Sequence, residues 1–398
     1  MMKRISYPKI LVAITLMVFA CGCGASDSDD GTDSRSCTSL SDSGDVDGNV
    51  TLTDDDCYMI DDTVALTHGE LTVEPGTQVY FGPDAGLVVE QTGRLNVAGT
   101  TDNPVLFRGD HDEHGFWRGI KIAAGGTHHI EHAHIQHGGS APWDHDNYHA
   151  RGGVVVDDDS AQLTVGDVEF TDNETAAVTT VAEGAELDIA HSSFADNDTP
   201  LRLHPDQVGG LGEGLEFGDH RTEAVVIHTD GTAADNAHWP KLELPYLVEE
   251  PIELSATISV DSGTEFRFDR HAGIDVNAGV FEAVGTGDDP VRFVGDNDVS
   301  GFWRGLRFRN APGEASRLEH VEILHGGSEH WDRSWSNSAA NLLVHDGGHV
   351  TLNHAYIAHS DYHGISIRDA LVDGCNDIEY EDHHRHSHHT YDDDEGCR

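Results

Sequence analysis

Four blocks of this chain occur twice, in the same order and at a nearly constant offset. EPGTQVYF (74–81) matches DSGTEFRF (261–268), and AGTTDNPVLFRGD (98–110) matches VGTGDDPVRFVGD (284–296). GFWRGIKI (115–122) matches GFWRGLRF (301–308), and IEHAHIQHGGS (130–140) matches LEHVEILHGGS (318–328). Four ordered matches mark a duplicated unit. A finer period runs between the copies, where apolar triplets start at Val154, Ala177, Leu201 and Val225, almost evenly spaced. The first three are each followed by a short segment ending in Phe170, Phe194 or Phe217.

Short stretches of period-2 alternation, bounded by Asp, Asn or Gly and recurring at one coil-length spacing, predict a parallel β-solenoid. Like residues of successive coils then lie about 4.8 Å apart and stack as ladders. Phe170, Phe194 and Phe217 are expected as one interior ladder, and Asn173 and Asn197 as a ladder at a turn, where Asn accepts a left-handed backbone. A propeller or sandwich would favour hairpins closed by Asn-Gly. That dipeptide is absent.

The first twenty residues read as a leader. Lys3, Arg4 and Lys9 precede an unbroken apolar run, Ile10 to Ala20, that ends at Cys21. Such a run suits a signal-peptide core and is short of the roughly 20 residues a membrane-spanning helix needs. Val18 to Cys21 resembles the lipobox of bacterial lipoproteins, which implies a diacylglycerol on Cys21, with Cys23 as the alternative acceptor. The chain is therefore expected to be exported and anchored to a bacterial membrane through lipid, with the outer membrane as its site.

The remaining cysteines form two local pairs, and disulfides are expected between Cys37 and Cys57 and between Cys375 and Cys397, as in exported chains. Residues 24–56 are dominated by Ser, Asp, Gly and Thr and cannot bury a core. The expected organisation is a leader (1–20), a lipidated acidic tether (21–57), copy one (58–245), copy two (246–375) and a His/Asp-rich tail or cap (376–398).

Acidic residues outnumber basic ones by 72 to 23, a net charge of −49. A field of that sign repels nucleic acid and anionic headgroups, so neither is an expected partner. It also disfavours anionic uronans unless cations such as Ca²⁺ bridge the two.

The string Tyr-x-Val, PGT-x-V-x-F, G-x-L-x-x-x-GT-x-x-x-P-V-x-F, G-x-W-x-G-I and I-x-x-x-x-I-x-x-x-GG is carried by Leu71 to Ser140 and again by Leu254 to Ser328. It resembles the repeat of secreted bacterial right-handed parallel β-helix proteins of the pectate-lyase-like superfold, W-x-G-I subgroup. The resemblance implies an all-β fold, a right-handed parallel β-helix. It further implies polysaccharide or another cell-surface partner as a ligand, since many members act on polysaccharides. Lyases of that kind use a basic residue beside a uronate held by Ca²⁺ or Arg, and hydrolases use paired carboxylates. Catalytic candidates on that basis are Asp110 and Asp112 with Arg118, and Asp296 and Asp298 with Arg304.

Twenty-nine histidines are the other unusual feature. They recur at matching places, His132, His134 and His137 with His145 and His149 in copy one, and His320 and His325 in copy two. If the strand is extended, His132 and His134 share one face, and coil stacking brings His204 over His228. Neighbouring imidazoles suit Zn²⁺, Cu²⁺ or Ni²⁺. The C-terminal tract adds His383, His384, His386, His388 and His389 as loose metal ligands. The chain is thus expected to serve as a binding or structural surface for glycan or metal. A polysaccharide-active enzyme is the alternative.

Overall fold

The computed structural model describes residues 37–40, 45–228 and 231–383, and the backbone of His386–Thr390. The leader, Cys21, Cys23, Cys397, His384 and the side chains of His386, His388 and His389 lie outside the described residues. The described chain is a right-handed parallel β-helix in which three sheets of 8, 21 and 7 strands wrap one core.

Alternation explains the wall. Gly119–Ala124 and Val291–Gly295 point every second side chain inward, and those residues are buried. Stacking coils brings identical side chains into register: Phe170 lies opposite Phe194, and Phe194 opposite Phe217. Their rings stack at 5.2 Å and 5.5 Å, the expected interior ladder. A second ladder, Tyr246, Phe266 and Phe293, continues the aromatic core through copy two at 5.5 Å and 5.3 Å. The repeated Gly-Phe-Trp segment plugs both copies alike. Trp117 stacks on Phe81 at 3.8 Å and Trp303 on Phe268 at 3.9 Å, each donating its indole N–H to a strand carbonyl, Gln136 or Leu324.

The corners account for much of the histidine and aspartate. Among the described residues, 21 non-glycine residues have left-handed φ, and His and Asp supply eight each. Their side chains tolerate that region better than most. His132, His137, His320 and His325 all occupy such corners, with φ between 47° and 68°. The expected shared face of His132 and His134 is therefore corrected: His132 breaks the strand between Gly126–Glu131 and Ala133–Gln136. The turn ladder is also revised in one respect. Asn173 and Asn197 do stack, with Asn173 Nδ2 donating to Asn197 Oδ1 at 2.8 Å, but the left-handed residues are the preceding Asp172 and Asp196.

Coils begin earlier than the tether boundary at residue 57. Thr38–Ser39 pairs with Cys57–Ile60, Val46–Asp47 and Val50–Leu52 pair with Thr63–Val73, and a Cys37–Cys57 disulfide closes this first coil. At the other end Leu371–Glu381 pairs along His349–Ala358, so the expected tail starts within a coil, and Cys375 is disulfide-bonded.

The duplication is not a simple translation along the axis. Gly86–Ala98 and Gly119–Ala124 stand in a stack that continues through Thr199–Leu203, Val225–Ile227 and Tyr246–Val248 to Glu265–Phe268. Glu265–Phe268 is the sequence counterpart of Gln78–Phe81, which belongs to the 8-stranded sheet. The counterparts of Gly86–Ala98 and Gly119–Ala124, namely Gly273–Asn277 and Gly305–Arg309, stand in the new 7-stranded sheet. The 8-stranded sheet ends at Glu216–Phe217, and the 7-stranded one starts at Thr232–Ala233. Between Trp239 and Tyr246 the chain runs through Pro240 and Pro245, which have no N–H to give a ladder. Copy two is consequently turned by one face.

Candidate functional site

After each His-Gly-Gly-Ser the chain leaves the wall and folds back over an outer face. In copy one Trp143 lies over Gly86, where a Cβ would sit 2.6 Å from the indole, and Arg118 stacks on the same ring at 5.2 Å. In copy two Trp331 lies over Gly273 between Arg304 at 4.7 Å and Arg307 at 4.6 Å, and Arg368 stacks on Trp335 at 4.1 Å. Only glycine leaves room for an indole flat against the sheet. Beneath the loops, side chains that would face solvent become buried, among them Val155, Thr179, Leu343 and Ser366.

Each loop hangs from a buried asparagine of its own. Asn173 Oδ1 accepts from Gly138 N at 2.8 Å while its Nδ2 donates to Ile135 O, and Asn341 Oδ1 accepts from Gly326 N at 2.6 Å while its Nδ2 donates to Ile323 O and Ala358 O. Sequence reading did not single out Asn341. Gly138 and Gly326 are repeat counterparts, but Asn173 follows its glycine by 35 positions and Asn341 by 15, so the repeat does not align the two asparagines.

The loop of copy one builds a pocket of about 350 Å³ on the face that carries Thr199–Leu203. Tyr148, 62% exposed, forms one wall, Thr199 and Thr222 add hydroxyls, and Thr175 lines the pocket with its own hydroxyl given to Arg151 O. Three guanidiniums line it in a chain that has few. Arg151 is sequestered, bonded to Ser140 O, Tyr148 Oη and Glu174. Arg202 pairs with Glu249 at 2.6 Å and Arg221 with Asp198 at 3.4 Å. His149 also lines this pocket, and His145 is exposed in the same loop.

Below it, His228 gives Nε2 to Thr180 O at 2.7 Å, and burial, with Arg202 nearby, pushes its pKa down to about 4. His204, on the preceding rung, turns instead to Asp206 N. Because the folded state keeps His228 neutral while the unfolded chain takes up a proton near pH 6.5, stability falls as pH drops from about 6.5 to about 4 and levels off below. The loss attributable to His228 is about 3 kcal/mol. Denaturation midpoints of wild type and His228→Gln measured across that range should converge toward acid pH. Parallel curves would remove His228 from the acid response.

A second groove of about 280 Å³ lies on the same stack, three rungs on, roughly 14 Å at the usual strand spacing. Asp296 and Asp298 line it with Glu265, Arg267, Arg292 and His325. Burial raises the pKa of Asp296, with Arg267 opposing and Asp269 adding to the shift. Glu265 holds both Arg267 at 2.8 Å and Arg292 at 2.5 Å, and Arg292 also reaches Glu322.

The expected catalytic groupings are divided by this arrangement. Asp296 and Asp298 meet Arg267 and Arg292, whereas Arg304 goes to Trp331 and Glu329. In copy one Asp112 pairs with Arg108, and Arg118 is taken by Trp143. The arginine after the tryptophan anchors a loop in both copies.

Among the described residues no group of three or more His, Cys, Asp or Glu converges on a point where a metal could sit. The corner geometry gives a reason. His320 and His354 stack at 4.4 Å with planes 6° apart, and His325 and His359 at 5.3 Å, so their in-plane lone pairs run parallel. His134 bonds to Glu169 at 2.7 Å, His137 is buried, and His383 lies edge-on to Tyr380.

A protein-family model described as a pectate-lyase like beta helix domain matches residues 44–190. No curated protein and no solved structure matches the chain. The matched span covers the first coils and the loop that carries Trp143 and Tyr148, and its architecture is that of the described body.

Proposed function

We propose that this chain is an exported, lipid-anchored β-helix that binds glycan on the outer face shared by its two copies. The observation that carries the reading is the pocket of about 350 Å³ beneath Tyr148, at the lower end of the usual range for small-molecule clefts. Tyr148, its hydroxyl and one ring face held by Arg151, offers its other apolar face, threonines offer hydroxyls, and arginine–carboxylate pairs offer fixed donors beside acceptors. Those are the groups a sugar ring needs, with its apolar C–H face and rim of hydroxyls. The local disulfide of Cys37 and Cys57 supports an oxidising compartment, and the motif at Cys21 or Cys23 supports the lipid anchor.

A catalytic reading draws its support from Asp296 and Asp298 in the second groove. Incubation of the purified body with polysaccharides in affinity gels separates the two: retention without new reducing ends or unsaturated sugars marks a binder, and release of products marks an enzyme. Tyr148→Ala should weaken retention about tenfold, with unchanged thermal unfolding. Retention equal to wild type would place glycan binding elsewhere.

A further inference from the structure

Resting on the glycan reading, we infer that this face selects neutral sugar chains and rejects uronates. Its guanidiniums are already engaged. In the pocket beneath Tyr148, the three arginines that line it are each matched by a carboxylate: Arg151 by Glu174 at 2.8 Å, Arg202 by Glu249 at 2.6 Å and Arg221 by Asp198 at 3.4 Å. Arg151 is further held by Ser140 O and Tyr148 Oη. In the second groove Arg267 and Arg292 share Glu265, and Arg292 also holds Glu322. Asp296 and Asp298 line that groove in addition.

None of the guanidiniums lining these two sites is left without a carboxylate, and the surrounding chain carries −49. A uronate carboxylate would have to displace one of these acids, or at exposed Arg221 share its guanidinium, and in either case sit beside it, two like charges in close contact. A hydroxyl pair on a neutral pyranose needs no displacement. It donates to the carboxylate and accepts from the guanidinium of the same ion pair, gaining charge-assisted hydrogen bonds at both ends. The paired arginines therefore act as a specificity filter.

Arg221 and Asp198 are the place to test it. Arg221 is 80% exposed, the two meet at a surface corner, and neither belongs to the buried core. The full mature protein should be titrated with a neutral galactan and with a polygalacturonate of matched length, in EDTA and in millimolar Ca²⁺, at low and high salt. The galactan is expected to bind at least tenfold more tightly in EDTA, with little dependence on salt. Asp198→Asn releases Arg221 and removes the charged acceptor a neutral sugar would use, so it is expected to raise polygalacturonate affinity several-fold at low salt and to weaken galactan binding, narrowing the preference from both sides, with thermal unfolding unchanged.

Tighter polygalacturonate than galactan binding in EDTA would overturn the selectivity and leave the glycan reading standing. Uronate binding that appears only with Ca²⁺ supports the filter, because the cation then supplies the missing charge. Asp198→Asn without a gain for the uronate would remove the paired arginines as its cause. Binding of neither polymer would overturn the glycan reading itself, and the inference with it.

Discussion

Phe194→Ala is expected to cost about 3–5 kcal/mol, the range for emptying a buried phenylalanine site. Phe194 is 1% exposed and stacks between Phe170 and Phe217, so its removal leaves a void that neighbouring rungs, hydrogen-bonded at fixed spacing, cannot close. In a solenoid each coil rests chiefly on its neighbours, so the damage should spread to adjacent coils before it reaches the ends. Denaturant unfolding gives the total, and hydrogen exchange locates it, with Glu169–Thr171 and Ser193–Ala195 losing protection first. A loss below about 1 kcal/mol would show that the ladder is looser than its geometry indicates.

Asn341→Ala should cost about 3 kcal/mol by a different route, the orphaning of backbone groups. Its side chain bonds Gly326 N, Ile323 O and Ala358 O, and the residue is fully buried, so truncation takes a partner from each where water does not reach, although Ala358 O keeps the N–H of His325. Each such group costs about 1–3 kcal/mol in isolation, and partial relaxation brings the sum down. The Gly326 end of the loop would come free, and with it Trp331 would leave Gly273. Indole emission should therefore shift to the red in Asn341→Ala before global unfolding. An unshifted spectrum with wild-type stability would mean that the cation–π contacts of Arg304 and Arg307 hold the loop without the asparagine.

The two expectations differ in how legible they were. Phe170, Phe194 and Phe217 advertise themselves through a strict spacing, because a ladder requires identical residues at one coil period. Asn341 does not. Its partners are backbone atoms, which leave no trace in side-chain sequence, and the loop of copy two returns to the wall sooner than that of copy one. The histidines carry two signals at once. Their recurrence is real, but its strongest cause is conformational: eight of them hold corners that demand positive φ, and a corner ladder stacks imidazoles face to face. Spacing in sequence cannot distinguish a residue chosen for its backbone from one chosen for its lone pairs.

Arg118 and Arg304 teach a related point. Beside Asp110, Asp112, Asp296 and Asp298 in sequence, they read as natural partners for those carboxylates, yet the indole of Trp143 takes Arg118, and Trp331 with Glu329 takes Arg304. The partner comes from a loop well downstream, and only the fold-back of that loop over Gly86 or Gly273 decides the choice. The pocket under Tyr148 is hidden for the same reason. Arg151, Arg202 and Arg221 are far apart in the chain and become neighbours when successive coils stack.

What the sequence determined by itself is the solenoid: short segments recurring at coil-length spacing, alternating burial and aromatic ladders leave the chain few other ways to bury its apolar side chains. It also determined the duplication and the first disulfide. The tertiary structure alone decided that the copies are turned by one face, because that depends on where one sheet ends at Glu216–Phe217 and another begins at Thr232–Ala233. That turn puts Arg202 of the first copy and Arg267 of the second on one continuous stack, and so creates the face proposed here for glycan. Repeats specify which residues recur, whereas the face on which each repeat stands, given by where one sheet ends and the next begins, specifies which of them meet.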